Sequence, residues 1–325
     1  MNTILISGGA GYIGTELTKY LLQKYNVTVY DKFYFSWLKK NKNKLKSKNK
    51  LQFIKKDINA VEAKDFNKVD IVCDLNGISN DPSSELNAKY TWEVNYKSRL
   101  KFAKFAKKAG VKRYIFNSTC SVYGFNKKKV FENSGKNPLS TYANANLAAE
   151  KEIYKLRNNS FKVNILRNAT LFGFSNTMRL DLVVNIFVLN LINRNKIFID
   201  GNGMQFRPFI SINDIIQVYE KIISNNSFSS FICNLVSFNS TVKSIAYKIC
   251  KILKINNKNI LFNAKSFDKR NYIVSSKNFK KIFGSNFKFS SFEKEILNLK
   301  KNILKYKISV NTKTIRMKFY KKLFH

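Results

Sequence analysis

The chain has 325 residues, 44% hydrophobic and 14% aromatic, which is enough to fill a core, excludes a disordered chain and suits two lobes or one large α/β unit. Its net charge is +39, yet no run of about 18 uncharged apolar residues occurs, so no membrane span is expected. The single histidine is the last residue, His325, which excludes Ser-His-Asp and Cys-His catalysis and nearly all zinc sites; acid/base chemistry falls to Tyr, Lys, Asp or Glu, and no metal is expected.

The N-terminal MNTILISGGAGYIG lacks the basic start and cleavage site of a signal peptide, so a cytoplasmic protein is expected. Its apolar run predicts a strand, Thr3–Ser7, followed by a helix, Tyr12–Lys24. Gly8, Gly11 and Gly14 lie at the junction. Gly8 permits a tight turn, Gly11 lets the backbone approach a pyrophosphate drawn to the helix N-terminus, and Gly14 lets helix and strand pack closely. The second strand, Val27–Asp31, ends on Asp31, 17 positions after Gly14. A carboxylate there accepts from both hydroxyls of an adenosine ribose and repels a 2′-phosphate, favouring NAD over NADP; the adjacent Lys32 softens that repulsion.

A lysine-rich stretch, Leu38–Lys50, reads as a solvated surface insertion. Further strands are predicted at Leu51–Lys55, Val69–Asp74, Lys112–Asn117 and Lys162–Leu166, with helices at Ser84–Ala109 and Leu139–Asn158; Gly110 fits a helix C-cap. This alternation predicts an α/β fold: a Rossmann-type, doubly wound parallel sheet covered by helices on both faces. After Ala169 the pattern loosens into a helix at Leu180–Asn193, a strand at Ile197–Asp200 and a helix at Ile212–Ser224 with Ser211 as N-cap. A dinucleotide-binding unit over 1–168 and a smaller C-terminal, substrate-binding lobe over 169–325 are expected, with segments near 196–236 returning to the first unit. Cys73, Cys120, Cys233 and Cys250 form no CxxC pair and read as free thiols.

The charge has three readings: a nucleic-acid or membrane surface, attraction to phosphate-bearing ligands, or compositional drift of a chain that over-uses Lys, Asn, Ile and Phe. No helix-turn-helix, zinc or stacking motif supports specific nucleic-acid binding.

The spacing GxxGxxG, with segments downstream, resembles the extended short-chain dehydrogenase/reductase superfamily, in its NAD-dependent epimerase/dehydratase (nucleotide-sugar epimerase-like) group, over nearly the whole chain. The resemblance implies an NAD site formed by Gly8, Gly11, Tyr12, Ile13, Gly14 and Asp31. In KKDIN, Asp57 and Ile58 would border the adenine. In CDLNGISNDPSSE, Leu75, Asn76 and Gly77 would pass beside the cofactor, where the group usually carries two small residues at 76 and 77. Asn95, in TWEVNYKSRL, stands in place of a helix asparagine of the group.

The most specific match is FNSTCSVYG, containing Ser118 at the cofactor and Thr119 at the sugar oxygen being oxidised or reduced. Read alone, Thr119 is a strand-end hydroxyl bonding its own backbone. Cys120 and Ser121 stand where dehydratases of the group carry Asp and Glu, which favours an epimerase, dehydrogenase or reductase over a dehydratase. In ILRNATLFG, Thr170 takes the place of an asparagine contact to the substrate. MRLDLVVN offers Arg179 and Asn185 near the nucleotide base, GNGMQFRPFISINDI offers Arg207 as a grip on the substrate diphosphate, and DKRNY offers Arg270 as a second phosphate ligand.

In STYANANLAAE, Tyr142 would be the acid/base of hydride transfer, with Asn146 one turn on where the group has a lysine. Free tyrosine, with a pKa of about 10, is ionised in only about one molecule per thousand at neutral pH, and a nearby ammonium lowers that pKa. Asn146 can hydrogen-bond a ribose hydroxyl but supplies no charge. The expectation is therefore an NAD-dependent epimerase or related oxidoreductase in nucleotide-sugar or surface-polysaccharide synthesis, turning over slowly unless another lysine reaches in. A catalytically silent binder of NAD or a nucleotide sugar is the alternative. A homodimer through Ser84–Ala109 and Leu139–Asn158 is also implied, opposed by the charge of KFAKFAKKAG.

Overall fold

The computed structural model describes residues 2–35, 37–263 and 270–324. His325, and Asp268 and Lys269 of the DKRNY segment, lie outside the described residues.

The N-terminal half alternates strand and helix: β1 (Thr3–Ser7), α1 (Tyr12–Leu21), β2 (Asn26–Asp31), the short α2 (Trp37–Lys40), β3 (Leu51–Lys55) and β4 (Ile71–Asp74). There follow α3 (Asp81–Glu85), α4 (Ala88–Trp92), α5 (Arg99–Lys108), β5 (Arg113–Thr119), α6 (Thr141–Lys155) and β6 (Lys162–Asn168). The C-terminal half comprises β7 (Thr170–Phe172), α7 (Val183–Arg194), β8 (Ile197–Asp200), β9 (Phe206–Ser211), α8 (Ile212–Ser224), β10 (Phe231–Leu235) and β11 (Phe238–Thr241). It ends with α9 (Val242–Leu253), β12 (Ile260–Asn263), α10 (Lys277–Phe283), α11 (Phe292–Lys305) and α12 (Arg316–Phe324).

Seven strands form one parallel sheet in the order β10-β6-β5-β4-β1-β2-β3. Its central strands are buried on both faces, Ile4, Leu5 and Ile6 with no exposure, which is why they read as continuous apolar runs. Strand order reverses between β1 and β4, and the crevice beyond their C-terminal ends is where such sheets receive ligands. β10 adds the far edge strand on β6, whereas β8 pairs with β12 in a separate two-stranded sheet. β7, β9 and β11 form a third sheet beside the crevice. The four cysteines are buried free thiols.

The helix expected over Ser84–Ala109 is broken instead. Asn80 and Asn87 each cap a new start, accepting from Ser83 N at 2.8 Å and Tyr90 N at 2.9 Å. Glu93–Ser98 then widens into a π-helical turn, a feature frequent at functional sites. Within it, the Asn95 amide bonds both the N–H and the carbonyl of Ile78, at 2.8 and 3.1 Å, tying the loop after β4 to the helix. Gly110, at φ +82°, ends α5 in the left-handed conformation that glycine permits. Ser211 caps α8 by accepting from Asp214 N at 3.0 Å.

The C-terminal basic stretch folds back as α12. Phe319 packs on Tyr34 and Phe35 with centroids 5.2 and 5.0 Å apart, and Phe324 packs on Tyr90 at 5.4 Å.

Candidate active site

A cavity of about 860 Å³ follows the C-terminal edge of the parallel sheet and continues to the small β7-β9-β11 sheet. Gly8 turns the chain out of β1 at φ +72°, and a Cβ there would meet the Leu75 backbone at 2.8 Å. A Cβ on Gly14 would lie 2.4 Å from the Gly8 carbonyl oxygen, so helix and turn fit only with glycine. A Cβ on Gly11 would meet that oxygen at 3.2 Å and nothing else within 4 Å, leaving the backbone open toward the cavity it lines. Asp31, at the end of β2, accepts from the N–H groups of Ala10 at 3.0 Å and Phe33 at 2.7 Å, and burial pushes its carboxyl above the usual range despite them. Tyr12, Ile13, Asp57, Ile58, Leu75, Asn76, Gly77 and Ser118 complete this half of the wall. Lys32 turns to Asp57, 2.7 Å away. An open glycine cradle at a helix N-terminus, beside a carboxylate that lines the same cavity, fits a dinucleotide.

Tyr142 and Thr119 line the same cavity. Tyr142 is in the first turn of α6, where Ser140 caps the helix by accepting from Ala143 N at 3.1 Å. Thr119 ends β5; its hydroxyl accepts from Ser121 N at 3.0 Å, the local bond its position suggests, and also lies beside the Tyr142 phenol. Burial raises that phenol above its ordinary value. The Thr119 hydrogen bond and the charges of Arg179 and Arg99 pull it down, and Asp81 pushes it up.

Three candidates stand behind the wall. Asn95 is consumed by Ile78. Asn185 is fully buried, accepting from Gly173 N at 3.0 Å and donating to Tyr12 Oη at 3.2 Å and to the Arg179 carbonyl at 2.9 Å. Asn146, 2% exposed, donates to the Tyr142 carbonyl at 2.8 Å and accepts from Arg99 Nη1 at 2.9 Å.

Arg99 was not foreseen. It is 1% exposed, bonds Asp74 Oδ2 through Nε at 2.9 Å and the carbonyls of Asp74 and Asn117 through Nη2 at 3.1 and 3.0 Å, and lies 3.8 Å from the Phe116 ring centre. A guanidinium therefore occupies the space behind Asn146. The sequence signal was slight: an arginine one turn after Asn95, among 59 basic residues. A second buried pair supports the same wall. Arg167 bonds Glu150 at 2.7 Å, and Glu150 accepts from Ser118 Oγ.

On the substrate side, Thr170, Arg179, Arg207 and Arg270 all line the cavity. Arg179 makes a two-point pair with Asp181, at 3.1 and 2.9 Å. Arg270 pairs with Asp81. Arg207 donates to the carbonyls of Phe206 and Arg270 and lies 5.8 Å from the Tyr272 ring centre. Ser121 lines the cavity, whereas Cys120 is buried with its thiol pushed up by that burial. Among the described residues no cluster could hold a metal ion, and no helix is long and apolar enough to cross a membrane.

Comparison with known proteins follows the same lines. The chain is 30% identical over 224 residues to YtcB of Bacillus subtilis (strain 168), named an uncharacterized UDP-glucose epimerase, covering 66% of this chain and 70% of that protein. It is 26% identical over 263 residues to the dTDP-D-glucose 4,6-dehydratase of Homo sapiens, covering 78% and 75%. Among solved structures, the UDP-N-acetylglucosamine 4-epimerase from Methanobrevibacter ruminantium M1 superposes with a TM-score of 0.83 at 21% identity, over 94% of this chain and 99% of that one. MoeE5, solved in complex with UDP-glucose and NAD, gives 0.81 at 19%, over 94% and 100%. The model of the NAD dependent epimerase/dehydratase family matches residues 4–232, from β1 into β10, and with the glycine cradle, Asp31, Thr119 and Tyr142 on one cavity wall, the chain belongs to that family.

Proposed function

We propose that the protein is an NAD-dependent nucleotide-sugar epimerase, or a related oxidoreductase, acting by hydride transfer at a sugar carbon. The observation that carries this reading is that Tyr142 and Thr119 share one cavity with the Gly8-Gly11-Gly14 cradle and Asp31. Gly8, Gly11 and Gly14 would hold the pyrophosphate of NAD, Asp31 its adenosine ribose, and Asp57 and Ile58 its adenine. When bound, that cofactor supplies a nicotinamide ring able to accept and return a hydride.

The chain's own part is proton movement and grip. Tyr142 takes the sugar hydroxyl proton, directly or through Thr119, and returns it in the reverse step. Arg207 and Arg270 present guanidinium groups to the sugar's diphosphate, Thr170 adds a hydroxyl, and Arg179 stands toward the nucleotide base. Ser121 and Cys120 offer no carboxyl for elimination, which supports an epimerase or simple oxidoreductase. Turnover is slow in this reading, because Asn146 brings no charge and Arg99 has Asp74 as its counter-ion. A cytoplasmic role in nucleotide-sugar or surface-polysaccharide synthesis, and a homodimer, follow as parts of the same proposal.

A different observation favours a second reading, a silent binder of NAD or a nucleotide sugar: Asn146 is engaged inside the wall and brings no charge.

Incubating the wild type and Tyr142→Phe with NAD and a panel of UDP-, GDP-, CDP- and dTDP-sugars, with products read by chromatography and mass spectrometry, tests the proposal. Conversion by the wild type that Tyr142→Phe loses is the expected result. NAD binding without product in any case favours the silent binder. Salt-sensitive binding to nucleic acid or anionic vesicles that ignores NAD overturns both.

A further inference from the structure

Four of the described cations on the cavity wall can be compared by what balances them. Lys32 has Asp57 at 2.7 Å, Arg179 has Asp181 at 2.9 Å, and Arg270 has Asp81. Arg316, the first residue of α12, differs. It is 2% exposed, and among the described residues no carboxylate oxygen lies within 4.0 Å of its guanidinium. It donates to the Lys313 carbonyl and stacks on Phe35, 3.7 Å from the ring centre. Burial and the neighbouring charge of Arg179 push it down to about 10, with Asp181, Tyr320 and Asp31 pulling the other way.

A buried guanidinium with no carboxylate in contact is costly. Here the cost falls at the wall of a cavity, where a ligand can supply the anion. The surroundings say which ligand. Arg316 stacks on Phe35 and feels the charge of Asp31, at the end of β2 and the loop after it, on the adenosine side; its other charged neighbours are Arg179 and Asp181, and it lines the same cavity as Gly8 and Gly11. Arg207 and Arg270 stand by the small sheet. The planar fork of a guanidinium matches phosphate oxygens. The helix that carries it is fixed: the Thr314 carbonyl accepts from Leu180 N at 2.8 Å, Phe319 packs on Tyr34 and Phe35, and Tyr320 also lines the cavity.

We infer that Arg316 is the counter-cation for a phosphate of the bound dinucleotide, and that α12 closes the cofactor half of the cavity. The inference rests on the NAD reading above. It adds a phosphate ligand from outside the 4–232 region matched by the family model.

Calorimetric titration of the full-length protein with NAD and, separately, with UDP tests it, using wild type, Arg316→Lys and Arg316→Met, with the melting point of each variant recorded without ligand. The expected result is that Arg316→Met weakens NAD by roughly 10–100-fold, the range for a hydrogen bond to a charged group. Arg316→Lys falls between, and UDP affinity is unchanged. Unchanged NAD affinity in either folded variant overturns the inference. Loss of UDP affinity with NAD intact also overturns it, by moving the guanidinium to the substrate. If Arg316→Met does not fold, Arg316→Lys decides alone: it must bind NAD more weakly than wild type. A wild type that binds no NAD defeats the NAD reading itself, and this inference with it.

Discussion

Asn146 and Arg99 have to be considered together. A lysine introduced at 146 would place an ammonium where Arg99 Nη1 now sits 2.9 Å from the Asn146 carbonyl oxygen, inside the protein. Two like charges without water between them repel strongly. Asn146→Lys is therefore expected to lower the melting temperature rather than simply restore activity. Arg99→Met leaves Asp74 buried with its charge uncompensated, and is expected to cost about 3–5 kcal/mol in urea unfolding. The double variant Arg99→Met/Asn146→Lys should lose less than the sum of the two, by about 0.5–3 kcal/mol, because one cation remains for Asp74. Strict additivity would disprove the coupling. Tyr142→Phe should lower turnover about 10²–10⁴-fold while leaving NAD affinity near wild type. The phenol is raised by burial, and its ionised form is the base, so sugar oxidation should increase as pH rises and level off only above the phenol's raised value. A rate that falls with rising alkaline pH would contradict that role.

At the scale of elements, β1, β3 and β8 and the helix α8 were legible from apolar runs and a capping serine, because their local preferences and their packing agree. The glycine cradle was legible for the same reason. Gly14→Ala tests it: a Cβ 2.4 Å from a backbone oxygen cannot be accommodated without moving turn or helix. Weaker NAD binding by titration, with a lowered melting temperature, is expected. The region Ser84–Ala109 was misread as one helix because the local caps at Asn80 and Asn87 were overlooked in its apolar pattern, and its path is further fixed by distant partners, with Asn95 reaching Ile78 and Ser84 Oγ accepting from Tyr142 N at 3.1 Å. Arg99 was illegible for a related reason. Its significance comes from β4, β5 and α6 meeting around it, and no spacing in the sequence announces that. The structural place of α12 was hidden by composition, since its four basic residues are among 59 in the chain.

For the whole molecule, the charge of +39 sets the conditions under which the other properties appear. Lys101, Lys104 and Lys108 of α5 are exposed, so the surface proposed for dimer contact is positive. Screening shortens the reach of that repulsion to about 8 Å at physiological ionic strength and about 3 Å at 1 M. Light scattering should therefore show the dimer fraction rising with salt; a monomer at all salt concentrations would rule the dimer out. The central claim, that this fold still moves a hydride with an asparagine where its relatives in the family are expected to carry a lysine, is tested most directly by single-turnover absorbance of the reduced nicotinamide. Wild type and Tyr142→Phe, each saturated with NAD, would be mixed with the nucleotide sugars across a range of pH. The account predicts a slow rise of reduced cofactor in the wild type, faster toward alkaline pH, and none in Tyr142→Phe. Equal traces from the two proteins, or no reduction by a wild type that binds both NAD and sugar nucleotide, would contradict it.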